Sequence, residues 1–202
     1  MTTAATTELE SINIMLAAIG EAPINSLTGT LPVDARLAQS TLTEVNKEVQ
    51  SEGWSFNTEI DVTLTRDASN HVALSIDVLR VDPNIHHHTD IDAIQRGLKL
   101  YDRLNNKYDF AKDLICTVVY FRTFEEIPEP ARRYITIKAA RIFVDRLVSD
   151  DGLRTYTQQD ETRARAILME TDLSNADHNL LRGDPSLTSV FDTYNPSRAL
   201  IR

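Results

Sequence analysis

LESINIMLAAIGEAPINSLTG (residues 9–29) and DARLAQSTLTEVNKEVQSEGWSFNTE (residues 34–59) decide how this chain folds. Leu9, Ile12, Leu16 and Ile19 recur at helical spacing and put one apolar face on a helix over residues 8–20. Gly20 suits a left-handed C-terminal cap, and Pro23 prevents continuation. A second helix is expected over 33–51. Val33, Leu37, Val45 and Val49 form its buried stripe, Ala38 and Leu42 widen it, and Gly53 caps it. The period then changes from helical to 2: Phe56, Ile60, Val62 and Leu64 alternate with Asn57, Glu59, Asp61 and Thr63, as in a half-buried strand. A helical hairpin running into a sheet, with no residue that looks like a catalyst, is how an assembly part looks.

Further along, Val72, Leu74, Ile76 and Val78 repeat the strand alternation, with a turn at 66–70 before them. Residues 82–92 read as a polar loop holding Pro83 and three histidines. Segments 98–104 and 108–110 flank Asn105-Asn106-Lys107 and suggest a hairpin. Residues 114–124 are apolar, β-branched and aromatic, the composition of a well-buried strand. Pro128 and Pro130 stop the sheet and open a helix over 130–148, with Tyr134, Ile135, Ala139, Ile142, Phe143 and Leu147 inward. Asp150-Asp151-Gly152 makes a turn. A fourth helix is expected from Thr157, whose hydroxyl can cap, to about 175, with Asp160 and Glu161 favourable in its first turn.

The expected fold is therefore α+β, mainly α. Two helical hairpins form a four-helix core from residues 1–54 and 126–178, a small antiparallel β-region (55–125) is inserted between them, and a tail extends over 179–202. Residues 1–7 are expected to fray. The tail holds Leu187, Val190, Phe191, Tyr194, Leu200 and Ile201, too apolar for a linker and too aperiodic for a helix, so it reads as a docking segment that orders on a partner.

Composition narrows the function. The 202 residues are 42% apolar, enough for one sizeable core or a core with a satellite. A net charge of −9 disfavours general nucleic-acid binding, which needs clustered Lys and Arg. Cys116 is the only cysteine, so neither an intrachain disulfide nor a cysteine-based zinc site can form, as suits a reducing cytosol. No transmembrane run is present, and the first residues lack the basic and apolar regions of a secretory signal.

No constellation of residues carries chemistry convincingly. His86-His87-His88 with Asp82, Asp90 and Asp92 is the obvious metal candidate, yet adjacent loop residues rarely converge on one ion, and a solvated loop is expected. Glu125, Glu126 and Glu129 lie beside prolines, and Glu21, Glu52 and Glu59 flank turns. A glycosidase acid would need a desolvated pocket that these positions do not suggest. There is no nucleophile elbow or phosphate-binding glycine loop, and Cys116 sits inside an apolar strand, where a thiol is inert. No catalytic, metal or cofactor residue is therefore assigned. Lys138, Arg141 and Arg146 share one helix face. The plain reading is a solvated face paired with Asp145 and Asp150; the functional one is a contact strip for a neighbouring subunit. Trp54 is expected to anchor the core under the sheet.

Residues 9–29 and 34–59, with FEEIPEPARRYITIKAARIF (residues 124–143), resemble the tail tubular protein A family of short-tailed phages. The resemblance implies a head-to-tail adaptor: a ring of about twelve subunits below the portal, carrying the nozzle (tail tubular protein B) on its other side, helping to anchor tail fibres and surrounding the DNA exit channel. It implies location in the virion tail, with the host cytoplasm as the site before assembly, and it carries over no catalytic residue, cofactor or membrane contact. The rival class is a tail-borne polysaccharide or peptidoglycan hydrolase, which would need two carboxylates facing a cleft.

Overall fold

The computed structural model describes residues 5–84, 87–147 and 158–175. In chain order its elements are α1 (Glu8–Ala18), α2 (Val33–Ser51), β1 (Thr58–Leu64), β2 (Val78–Pro83), β3 (Ala93–Arg96), β4 (Lys99–Asp102), β5 (Leu114–Tyr120), α3 (Glu129–Leu147) and α4 (Gln158–Asn175). The fold is α+β. Among the described residues, the four helices accompany two small antiparallel sheets, one ordered β1-β5-β2 and the other the hairpin β3-β4.

Local chemistry sets the ends of α1. Thr7 and Glu10 form a capping box: the Glu10 N–H donates to Thr7 Oγ1 (3.2 Å) and the Thr7 N–H to Glu10 Oε2 (2.8 Å). At the other end Gly20 adopts φ +82°, and the Gly20 and Glu21 N–H groups return to the carbonyls of Ala17 and Leu16. That is a Schellman cap, possible because glycine has no Cβ to clash in the left-handed region.

Helix α3 is central. It packs on α1, α2 and α4, and nine of its 19 residues are buried, including Tyr134, Ile135, Ala139 and Phe143. Ser11 and Thr136 share a buried hydroxyl–hydroxyl hydrogen bond of 2.9 Å between α1 and α3. Helix α4 buries only Ala164 and Leu168 among its described side chains. One apolar cluster draws on all four helices together with Trp54, Phe124 and Ile127. A second lies in the strand region and includes Val72, Leu100, Phe110, Leu114, Cys116 and Val118. Trp54 belongs to the helical cluster, and its indole N–H donates to the Val49 carbonyl at 2.8 Å.

Several sequence expectations need correction. Val33 is 69% exposed, because the true inner face of α2 is built from Ala35, Ala38, Thr41, Leu42, Val45, Asn46, Val49 and Gln50. At 100° per residue Val33 lies roughly 160° from the middle of that face. Leu147, expected inward, is 40% exposed at the end of α3. In β1 the alternation fails at a bulge. Pairing with β5 shifts between Glu59 and Val62, Asp61 takes φ +57°, and Ile60 turns outward at 61% exposure. The strand expected over 72–78 is broken at Ser75, whose carbonyl accepts from the Val78 N–H, so Ile76 is 89% exposed and β2 starts only at Val78.

Strand β2 then takes in Asp82 and Pro83, which the sequence placed in a loop. The hairpin also lies earlier than expected, turning at Gly97 and Leu98, with Gly97 at φ +63°. Asn105 and Asn106 belong instead to a tight turn held by Asp102, whose carboxylate accepts from the Leu104 and Asn105 N–H groups and the Asn105 amide. The turn at 150–152, the Thr157 cap and the whole 179–202 tail lie outside the described residues.

Candidate interaction surfaces

A buried polar junction locks the helical cluster to the sheet. Gln50 is fully buried: its Oε1 accepts from the Arg122 N–H (2.7 Å), and its Nε2 donates to the Arg122 carbonyl and Asn46 Oδ1 (both 2.8 Å). Asn57 is 1% exposed. Its Oδ1 accepts from the Trp54 N–H, and its Nδ2 donates to the Gln50 and Tyr120 carbonyls, each at 2.9 Å. Both side-chain amides therefore use both of their N–H donors, which removes the desolvation penalty of burying them. Gly53 sits at the same point with φ +82°. A Cβ there would lie 2.7 Å from the Arg80 guanidinium and 3.3 Å from Val119 Cγ2. The sequence stretch around Trp54 pointed to this place, but Gln50 and Asn57 went unrecognised because polar residues are not counted in an apolar stripe.

The three cations expected to form a subunit strip each meet a carboxylate within the chain. Lys138 Nζ lies 3.1 Å from Glu48, and Arg146 grips Glu44 through both terminal nitrogens at 2.9 and 3.0 Å, so both tie α3 to α2. Arg141 reaches Glu161 on α4 at 2.6 Å and Asp145 at 3.1 Å. The guanidinium of Arg146 holds the Glu44 carboxyl below its ordinary range. Side-chain exposure separates the three: Arg146 keeps 44%, Arg141 27% and Lys138 11%. Exposed pairs of this kind are screened by solvent, so they orient the helices more than they stabilise them.

The histidine loop is not simply solvated. His86 lies outside the described residues and His87 is exposed, but His88 is 4% exposed. Its Nε2 accepts from the Ile115 N–H at 2.8 Å, which fixes the neutral ring with its proton on Nδ1, and that nitrogen is buried without a partner. Burial pushes the His88 pKa down, and nearby Lys112 adds to the effect. The residue pins the segment from His87 to Asp92 to β5. Among the described residues no group of three or more His, Cys, Asp or Glu side chains is placed to hold a metal ion.

The other titratable candidates are a buried thiol and surface carboxylates, four of which have structural partners. Cys116 is buried in β5 and its thiol is pushed up to about 12 by burial, with the Asp82 charge adding to it. Glu126 accepts from the Thr123 N–H and hydroxyl, Glu129 from Thr6, and Glu52 and Glu59 pair with Arg165 and Arg122. These carboxylates cap turns and tie elements together. The exposed apolar side chains are more distinctive: Met169 and Leu173 on α4, and Ile60, Ile76, Leu98 and Leu104 in the strand region, are each between 48% and 89% exposed. The expected docking residues Leu187, Val190, Phe191, Tyr194, Leu200 and Ile201 lie outside the described residues.

The tail tubular protein family matches residues 9–178. The chain belongs to that family and is a structural component of a phage virion tail. A comparison with curated proteins finds no match. No helix among the described residues is long and apolar enough to cross a membrane.

Proposed function

We propose that the protein is the head-to-tail adaptor of its virion, of the tail tubular protein A kind: a ring of about twelve subunits between portal and nozzle, around the DNA exit channel. The observation that carries this reading is the family match over residues 9–178, which takes in all four helices and both sheets. The role is non-enzymatic. In this reading the 179–202 tail, through Leu187, Val190, Phe191, Tyr194, Leu200 and Ile201, docks on the portal. The opposite side of the ring holds the nozzle and helps to anchor tail fibres. Of the Lys138, Arg141 and Arg146 strip, Arg146 is the member with enough exposure to meet a neighbouring subunit while still gripping Glu44. At −9 per subunit, a ring of about twelve carries a charge on the order of −100, which lets DNA slide through without holding it.

Negative-stain micrographs of the purified protein, alone and mixed with the portal, test the reading. Closed rings with a central channel are expected; a monomer that stays monomeric beside the portal would sink it. Removing residues 179–202 is expected to leave helical content nearly intact and abolish portal docking. No submicromolar duplex binding is expected at about 0.15 M salt.

A further inference from the structure

We propose that the outer face of the β3-β4 hairpin is a self-association surface that docks on the acidic surface of a second copy of this chain. The proposal rests on the ring reading and adds to it which surface makes the contact. Register decides which side chains share that face. Ile94 is paired with Tyr101 and Arg96 with Lys99, while Ala93, Leu100 and Asp102, on the opposite side of the pleat, are buried. Facing residues of an antiparallel pair project to the same side, so Ile94, Arg96, Lys99 and Tyr101 form one outer surface.

The surface is a built aromatic shelf with cations on it. The Arg96 guanidinium lies 3.6 Å from the centroid of the Tyr101 ring, and Tyr101 meets Tyr108 edge-on at 4.9 Å. Tyr108 in turn meets His71 at 6.3 Å, and the Lys99 ammonium donates to His71 Nδ1 at 3.3 Å, while His71 Nε2 lies 3.1 Å from Asp109. Leu98, 53% exposed, stands at the tip. Rigid tyrosines and arginine are the side chains that concentrate binding energy at protein interfaces.

Charge identifies the occupant. Arg96 and Lys99 are like charges placed directly across the hairpin, an arrangement that is unfavourable in isolation, and neither has an ion pair among the described residues. Eight other cations among the described residues do have one, Arg66, Arg103, Lys112 and Arg122 among them. The chain as a whole carries −9, and Glu21 and Asp82 are among its exposed carboxylates. A cationic tip on an acidic body fits a head-to-tail contact, in which the tip of one copy meets the body of the next and the contact closes into a ring by rotation. The overall acidity disfavours nucleic acid as the occupant.

The test compares the full-length wild-type chain with R96E/K99E and with the charge-preserving R96K/K99R, by sedimentation velocity and micrographs at about 0.05 and 0.5 M salt. Circular dichroism checks that each variant is folded. The reversal keeps a like-charge pair across the hairpin and inverts the sign of the surface; the Arg96–Tyr101 and Lys99–His71 contacts it gives up are monitored by urea midpoints of each variant. We expect at least a tenfold weakening of self-association in R96E/K99E at low salt, near wild-type association in R96K/K99R, and weaker wild-type association at high salt. Rings that form equally well from R96E/K99E overturn this inference alone and leave the adaptor reading standing. DNA binding by the wild type that is lost in R96E/K99E overturns it in favour of a nucleic-acid surface. Absence of any wild-type self-association, even with the portal, overturns both this inference and the adaptor reading.

Discussion

The helical cluster and the strand cluster are built from opposite kinds of contact. The helical one gathers residues from Ile12 to Leu168, so its closest partners are far apart in sequence: Ser11 meets Thr136, and Thr6 meets Glu129. The strand cluster has its buried residues within 72–118, with Val62, Leu64, Ile91 and Tyr120 packed against them, and takes no apolar residue from the helices. What joins them is the polar junction of Gln50, Asn57, Tyr120 and Arg122, with Gly53 pressed against Arg80. Apolar packing tolerates small slips, whereas a buried amide that misses its partner leaves an unsatisfied group. The junction therefore fixes the relation of the two parts more firmly than a greasy seam would.

The largest expected break in this comparison comes from Phe143→Ala. Phe143 is fully buried at the centre of the helical cluster, and its loss should cost about 3–5 kcal/mol in urea unfolding. Gln50→Leu strikes the junction instead. It strands the Arg122 N–H and carbonyl and should cost about 1–3 kcal/mol for each buried group left unpaired. Hydrogen exchange on this variant sharpens the comparison: protection should fall first at the end of β5 next to Arg122, while α3 stays protected. If α3 and β5 lose protection together, the two clusters form one cooperative unit.

Gly53→Ala is expected to destabilise by about 1–2 kcal/mol, since a Cβ is strained at φ +82° and also crowds Arg80. A smaller effect is expected at His88. Its native pKa lies below the unfolded value, so the native state binds fewer protons. The stability it supports is full above the unfolded pKa of about 6.5 and is lost as pH falls through the depressed native value. Urea midpoints between pH 7 and 5 should fall more steeply for the wild type than for His88→Gln, and equal slopes would show that His88 does not pin its segment. Leu173→Ala, on the exposed face of α4, should stay within about 0.5 kcal/mol of wild type. A larger loss would mean that this face is already covered in the free chain.

The same contrast explains which parts were legible in the sequence. The starts and ends of α1 and α2 are written locally, in Thr7 and Glu10, Gly20, Pro32 and Gly53, so the expected spans agree closely with the observed ones. The inner face of α2 was less legible, because close packing uses Ala35, Thr41, Asn46 and Gln50, which the pattern did not count, while Val33, which it did, faces outward. The strands were harder. A single bulged residue at Asp61 reversed the side on which Ile60 lies, and a turn at Ser75–Asp77 split one expected strand. In the hairpin, Gly97 competed with Asn105-Asn106 as the turn, and pairing to β3 decided it, a contact that alternation alone does not encode. Of the candidate surfaces, the sequence named the cations of α3 but not their carboxylate partners on α2 and α4, since those meet only in three dimensions.

The central position of α3 also sets a timetable for synthesis. Helices α1 and α2 leave the ribosome with their apolar faces formed, yet the helix they pack on is completed only at Leu147, some 96 residues after Ser51. At about 5–20 residues per second, that leaves Ile12, Leu16, Val45 and Val49 without their main cover for about 5–20 s. The strand cluster, complete once Tyr120 is made, is finished before the helical one that flanks it. The nascent chain therefore carries its stickiest surface at the front, and a ribosome stalled before α3 would release a fragment prone to aggregate.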